Sequence, residues 1–177
     1  MADFATVAEF NTRTGMGVDS ARGAAILADV SAEIRLYTDQ DIEETAGRQE
    51  EFAADPFKGF IELSQVPVTA VTSVTVDGVV FTDYEWDRWN GSIRKNDLTP
   101  WDEGPILVTY DSGYAAASDE MAGLKSLCIE VAARALGGIP QDTFGTEIPE
   151  LRGAPHSIFF TEQEQRRLDK FQRLVMA

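Results

Sequence analysis

The stretch 67–78 reads PVTAVTSVTVDG, and a second stretch, 108–114, reads VTYDSGY. Both are rich in valine, threonine and tyrosine, which favour β-strands. Asp77-Gly78 is typical of a two-residue hairpin turn, because both residues tolerate a positive φ. From Phe57 onward the hydrophobic pattern has a period of two, so we predict strands at 58–63, 69–76, 79–86, 91–95 and 105–111.

Helical patterns lie on both sides of this β-rich middle. A first helix is predicted over residues 4–14, with Asp3 as its N-cap and Gly15 as its end. A second begins after Asp19 or Ser20, and its apolar stripe consists of Leu27, Val30, Ile34 and Tyr37. A third is predicted over 119–136, after Ser118 as N-cap and before Gly137.

The connections are less regular. Residues 39–51 are acidic and rich in glutamine, so they either extend the second helix or form a solvated connection. Residues 137–160 are punctuated by glycine and proline, and a connection of that length is typically functional or disordered until it is bound. Thr161 and Glu164 form a capping box that opens the last helix.

These patterns together predict an α+β chain that is mainly an α-helical bundle. An antiparallel β-module is inserted between the second and third long helices. The predicted parts of this one domain with an insertion are N-terminal helices 1–56, β-module 57–115, bundle helix 116–136, linker 137–160 and C-terminal helix 161–177.

The length and amino-acid composition limit the class of protein to which this chain can belong. A chain of 177 residues with 44% hydrophobic residues can form one globular core. It has no run of 18 apolar residues, and Met1-Ala2-Asp3-Phe4 lacks the basic-then-apolar pattern of a secretory signal. Its single cysteine, Cys128, excludes an internal disulfide and is typical of a reducing cytoplasm.

The charge balance is strongly acidic. Thirty acidic residues against 15 basic ones give a net charge of -15, which argues against binding of nucleic acid through its phosphates. The excess is uneven, because residues 161–177 carry three acids and four bases. A surface with this net charge repels DNA and anionic membranes alike.

No group of residues predicts a catalytic, cofactor or metal site. His156 is the only histidine and stands in the Pro-rich linker, where a surface role is the simplest interpretation. Cys128 lies on the apolar stripe of the third helix, where a free cysteine packs as a small hydrophobe. The sequence brings together no nucleophile, base and oxyanion donor, so we predict that the chain is not an enzyme.

Two weaker patterns leave alternatives open. Asp83, Glu85 and Asp87 alternate along one strand at about 6.6 Å, and Asp102-Glu103 follow Trp101. Such carboxylates suit a small acid-dependent hydrolase or a calcium site, but a solvated strand face has the same pattern. Trp89 and Trp101 could stack on a sugar in a carbohydrate- or receptor-binding β-module, whereas Trp86 is predicted to lie in the core with Tyr84.

Most of the chain also carries a family resemblance. The segments that carry it are Val7–Phe10, Tyr37-Thr38, Pro67-Val68, 71–78 (VTSVTVDG), Asp83-Tyr84-Glu85, Gly104, 108–110 (VTY), Gly113-Tyr114, and the helix from Asp119-Glu120-Met121 to Ala132-Ala133-Arg134. They resemble the head–tail connector (adaptor) proteins of long-tailed, siphovirus-type phages.

The resemblance implies a structural virion protein that needs no cofactor. Its copies, twelve in number, would form a ring between the portal protein and a stopper or tail-completion protein. The ring would lie in the virion neck after assembly in the host cytoplasm, away from any membrane. Genome DNA would slide through without specific binding, because twelve copies bring roughly 180 net negative charges to the channel.

The last helix is the candidate portal-docking element, since it is basic on an otherwise acidic protein. The residues we assign to docking are Arg166, Arg167, Leu168, Lys170, Phe171, Arg173 and Val175. The alternative is that Leu168, Phe171 and Val175 form an ordinary amphipathic stripe that packs on the bundle itself.

Overall fold

The computed structural model describes residues 3–101, 104–137, 158 and 160–172. Four α-helices lie in these residues: α1 (Val7–Thr14), α2 (Ser20–Thr38), α3 (Asp119–Ala135) and α4 (Glu162–Leu168), the last followed by a 3₁₀ turn at Asp169–Phe171. The seven described strands are β1 (Thr45–Phe52), β2 (Phe60–Glu62), β3 (Val68–Val76), β4 (Val79–Phe81), β5 (Tyr84–Trp86), β6 (Ser92–Lys95) and β7 (Ile106–Ser112).

These elements belong to two compact units. The helical unit draws on Met1–Tyr37 and Asp119–Lys170, and the β unit on Thr38–Ser118 and Phe171–Ala177. In the helical unit, α1 begins at a capping box formed by Thr6 and Glu9, not at Asp3 as predicted. It ends at Gly15, whose φ of 69° is left-handed and stops the helix as the sequence predicted.

The core of the helical unit follows the predicted stripes. Leu27, Val30 and Ile34 of α2 are buried. On α3 the buried face is wider, and it consists of Leu124, Leu127, Cys128, Ile129, Val131, Ala132 and Ala133. A stripe this wide on a 17-residue helix requires neighbours on more than one side.

The β unit contains two antiparallel sheets. The larger has the strand order β1-β7-β3-β4, and the smaller has the order β2-β6-β5. The hairpin predicted at Asp77-Gly78 is confirmed: both residues have positive φ (51° and 79°), and Val76 pairs with Val79. The predicted strand 79–86 is divided, because β4 pairs in the larger sheet and β5 in the smaller one.

Both sheets contribute to one hydrophobic core. Its buried members are Ile61, Leu63, Val68, Val74, Ile93, Trp101, Ile106, Val108 and Tyr110. A polar cluster lies beside it, in which Glu50 of β1 accepts hydrogen bonds from the Tyr110 hydroxyl and, at 3.0 Å, from the backbone amide of Ser64. Burial and the neighbouring Glu50 raise the pKa of Tyr110 to about 12, so the hydroxyl stays protonated and donates.

The prediction of a mainly helical bundle is wrong. Helix accounts for 37% and strand for 28% of the described residues, and two antiparallel sheets make this an α+β fold. The main difference is β1, in the acidic passage for which only a helix extension or a solvated connection was expected. Its sequence, TAGRQEEF, contains few strand-forming residues, and it is held by pairing with the distant β7.

Candidate interaction surfaces

Helix α4 is fixed to the helical unit through its first turn. Thr161 and Glu164 form the predicted capping box, in which the Thr161 side chain accepts from the Glu164 amide. Arg134 of α3 donates two hydrogen bonds to the Glu164 carboxylate, one of them at 3.0 Å. Burial alone would raise the pKa of Glu164, but hydrogen bonds from Arg134 and from the Thr161 amide lower it below its ordinary value.

The predicted docking residues lie on different sides of this segment. Leu168 is fully buried, while Arg166 and Lys170 are exposed. Arg167 lies 2.8 Å from the Glu130 carboxylate of α3 and also donates to the Gly123 carbonyl.

Phe171 is half-buried in the β unit, where its ring packs edge-on against Tyr114 with 5.5 Å between centroids. Arg173 and Val175 lie outside the described residues. The free cationic surface of the described segment therefore consists of Arg166 and Lys170.

The alternating carboxylates do not converge on one point. Asp83 accepts a hydrogen bond from Asn96 at 2.6 Å, and Glu85 forms an ion pair with Arg94. Asp87 accepts from the backbone amides of Trp89 and Asn90 at 2.8 and 3.0 Å, which fixes the turn before β6. In the part of the chain that the structure describes, no three histidine, cysteine or acidic side chains could hold a metal ion together. Asp102 and Glu103 lie outside it.

The three tryptophans occupy different environments. Trp101 is only 2% exposed, so its indole belongs to the core and cannot stack on a sugar. Trp86 shares the inner face of the smaller sheet with Ile93, but it stands on the edge strand β5 and is partly exposed, contrary to the prediction of a core position. Trp89 is exposed, and the Arg88 guanidinium lies 5.0 Å from its ring centroid.

Cys128 is buried as predicted. The Ser31 hydroxyl lies 3.7 Å from its sulfur, and burial raises the pKa of the thiol to about 11. The thiolate that nucleophilic chemistry needs is therefore disfavoured. His156 lies outside the described residues. None of the described helices is both long and apolar enough to span a membrane.

One surface was not predicted from the sequence. Two adjacent loops of the β unit, 53–59 and 96–100, expose Phe57 and Leu98 to solvent, and beside them is a hollow of about 260 Å³. The sequence does contain a signal for this surface: Phe57 stands between Pro56 and Lys58-Gly59. Proline and glycine mark turns, and turns lie at the surface, so a large apolar side chain within one is exposed.

Comparison with known proteins gives a likeness of fold without a likeness of sequence. No family model matches the chain, and no curated protein matches it. A chain in the neck of an empty GTA particle, computed with C6 symmetry, is similar over 98% of this chain and 91% of its own length, with a TM-score of 0.60 and 16% identity.

Two further solved structures contain chains with the same likeness of fold. A chain in the virion of a native gene transfer agent (GTA) particle has a TM-score of 0.56 and 15% identity, over 98% of this chain and 91% of that one. A chain in the neck of a native GTA particle, computed with C12 symmetry, has a TM-score of 0.54 and 14% identity, over 97% and 90%. At these identities the likeness establishes a shared fold, and it extends over both units of the chain.

Proposed function

We propose that this chain is a structural protein of the neck of a phage-like particle. One observation carries the proposal: the likeness to chains of GTA particles, two of them from the neck, covers at least 97% of this chain. The family resemblance, which is carried mainly by structural motifs in 67–134, points to the same function. A non-enzymatic function agrees with the dispersed carboxylates and the buried thiol.

The proposal has a more specific form. The chain is an adaptor of a long-tailed phage, and its copies form a ring that joins the portal to a stopper or tail-completion protein and lines the DNA channel. The C6 and C12 symmetry of the neck structures with similar chains supports a ring. The net charge of -15 per copy supports a channel to which DNA does not adhere.

Docking to the portal is assigned to the exposed face of α4. Arg166 projects from α4 and Lys170 from the 3₁₀ turn that follows it, and α4 is already fixed to its own unit by Glu164 and Leu168. A helix held in this way presents its charges at a small entropic cost. Its portal surface would be acidic, because the two exposed side chains are cationic.

A reconstitution with capsids that carry the portal but lack this protein tests the proposal. We expect purified wild-type protein to bind these capsids and to appear as an added ring at one vertex in electron micrographs. Arg166→Glu combined with Lys170→Glu should remove binding while leaving the fold intact, since both side chains are exposed. The matched control is Arg22→Glu, at an exposed position on α2, which should bind like wild type.

Two results would contradict the proposal at different levels. Wild-type protein that never binds portal-bearing capsids would count against the neck function as a whole. Normal binding by the double charge reversal would leave the neck function standing and would refute α4 as the docking element.

A further inference from the structure

A groove with an apolar floor lies along residues 51–62 of the β unit. It consists of two hollows, of about 260 and 630 Å³, which are continuous because they share Phe52, Ala53 and Ala54. The smaller hollow extends from these residues to Phe60 and Ile61, and the larger one extends to Gly104 and Pro105. The floor therefore offers apolar contacts over more than one side-chain position.

The loop beside the groove is ordered, and it holds an aromatic ring in solvent. Phe57 is 94% exposed and follows Asp55, whose carboxylate accepts a hydrogen bond from the Phe57 amide at 2.9 Å. The Asp55 amide donates to the Trp101 carbonyl at 2.7 Å, and the Trp101 amide donates to the Lys58 carbonyl at 3.3 Å. Exposed apolar groups of this size commonly mark a contact surface, and an ordered loop binds at a smaller entropic cost.

The charged side chains of the groove are mainly acidic. They are Glu51, Asp55 and Glu62 against a single cation, Lys58. The rest of the β unit has the same sign, because residues 38–118 carry 16 acidic and five basic residues. An acidic segment is repelled from such a groove, whereas a segment that carries lysine or arginine is attracted to it.

We propose that this groove binds a segment of another virion protein in which one or two large apolar side chains are flanked by lysine or arginine. A cavity of about 150 Å³ holds a benzene ring, so the smaller hollow has room for a phenyl or leucyl side chain. The flanking cations pair with the three carboxylates, and Phe57 covers the bound apolar side chains. The inference rests on the proposed neck function for the source of the segment, and it adds the surface and the chemistry of that contact.

The groove and the exposed face at α4 select partners of opposite charge. Arg166 and Lys170 attract an acidic surface, while the groove attracts a basic segment. A partner that suits one of these surfaces is repelled by the other. The charge distribution of the chain thereby prevents its two partners from exchanging places during assembly.

Titration of isotope-labelled protein with the synthetic peptide acetyl-KFKLK-amide, followed by NMR, tests the groove. We expect amide shifts concentrated in residues 51–62 and a Kd below about 1 mM at low salt, which is the affinity of a short segment. Raising NaCl from about 0.05 M to about 0.5 M should weaken binding at least about threefold, because salt screens the attraction.

Two control peptides separate charge from apolar contact. Acetyl-EFELE-amide keeps the apolar side chains and reverses the charge, and acetyl-KSKSK-amide keeps the charge and removes the apolar side chains. We expect each to bind at least about tenfold more weakly than acetyl-KFKLK-amide, because the groove requires both features.

Variants of the protein locate the contact. Glu51→Lys reverses one charge of the groove and should weaken binding of acetyl-KFKLK-amide at least about threefold. Its matched control is Glu44→Lys, at an exposed acidic position of the same unit outside the groove, which should bind like wild type. Phe57→Ser should weaken binding by about fivefold or more, whereas Leu36→Ser, at an exposed position of the helical unit, should not.

Three outcomes would overturn the inference. They are shifts spread over the whole acidic surface, equal binding of acetyl-KFKLK-amide and acetyl-EFELE-amide, and wild-type affinity of Glu51→Lys. Binding of wild-type protein to portal-bearing capsids is measured separately. If capsids bind and acetyl-KFKLK-amide does not, the groove inference fails and the neck function stands; the reverse result refutes the neck function and leaves a groove that binds basic segments.

Discussion

Gly113 follows directly after β7 and crosses the backbone of Glu43 at close range. Its φ is 98°, and a Cβ atom at this position would lie well inside contact distance of the Glu43 carbonyl and of the Glu44 amide. The Gly113 amide also donates to the Pro67 carbonyl at 2.9 Å. The residue is thus held between two neighbouring backbone segments, and only glycine fits there without displacement.

The first prediction is that Gly113→Ala destabilises the protein by at least about 2 kcal/mol, because left-handed strain and backbone overlap act together. Gly123→Ala is the control. Gly123 lies in α3, where a Cβ would meet open space, and alanine there should stabilise by roughly 0.5–1 kcal/mol. Urea unfolding of both variants measures the difference. Equal stabilities for the two variants would contradict this account of Gly113.

At the scale of elements, α1 is connected to α3 by an ion pair at its first turn. Glu9 accepts from Lys125 at 2.6 Å and from the Thr6 amide at 2.8 Å. The hydrogen bond from Lys125, followed by that from the Thr6 backbone, lowers the pKa of Glu9 from 4.5 to about 2. A carboxyl with a lowered pKa stabilises the folded state above pH 4.5, and that stabilisation is lost as the pH falls toward 2.

The second prediction follows from the direction of this pKa shift. Wild type should be more stable than Glu9→Gln at neutral pH, and the difference should shrink between pH 4.5 and pH 2 as Glu9 becomes protonated. Urea titrations monitored by circular dichroism at several pH values measure it. Lys125→Met, which removes the partner, should give the same convergence. A stability difference that does not change with pH would show that Glu9 acts through something other than its charge.

The third prediction concerns α4. Leu168 is fully buried in the helical unit, so Leu168→Ala should destabilise that unit by about 2–5 kcal/mol. Lys170→Ala, two residues further and exposed, should change stability by less than about 0.5 kcal/mol. Thermal unfolding of the two variants compares them. If Leu168→Ala had no effect, α4 would not be packed on its own unit in solution.

At the scale of the whole molecule, the net charge and its distribution determine which classes of macromolecule the protein attracts or repels. The net charge is -15, and residues 38–118 carry 16 of the 30 acidic residues but only five of the 15 basic ones. The two exposed cations that we propose for docking, Arg166 and Lys170, lie in the helical unit. An acidic β unit and a locally basic helix suit a protein that binds proteins and does not retain DNA.

The fourth prediction is therefore an absence of DNA binding. Duplex DNA should show no mobility shift with micromolar protein even at low salt, where attraction to phosphates is strongest. The double variant Arg166→Glu, Lys170→Glu serves as the comparison, because any residual attraction through α4 would differ between it and wild type. Micromolar affinity of the wild type for DNA would contradict the proposed channel.

Signals that depend on neighbouring residues could be read from the sequence. The capping box of Thr161 and Glu164, the end of α1 at Gly15 and the turn at Asp77-Gly78 were predicted and are confirmed. Each is determined by the backbone preference of a few residues and by hydrogen bonds that span at most four positions. The buried positions of Leu27, Val30, Ile34 and Cys128 also followed from helical periodicity alone.

Contacts between distant residues were decided only by the tertiary structure. β1 exists because Thr45–Phe52 pairs with Ile106–Ser112, since its own polar sequence contains few strand-forming residues. The chain moves from the larger sheet to the smaller one between Phe81 and Tyr84, whereas the sequence led us to predict one continuous strand over 79–86. Arg166 is exposed while its neighbour Arg167 is paired with Glu130, since only the packing of α4 on α3 determines which charge meets a partner. Periodicity fixes which face of an element is apolar, but pairing over long separations decides what covers it.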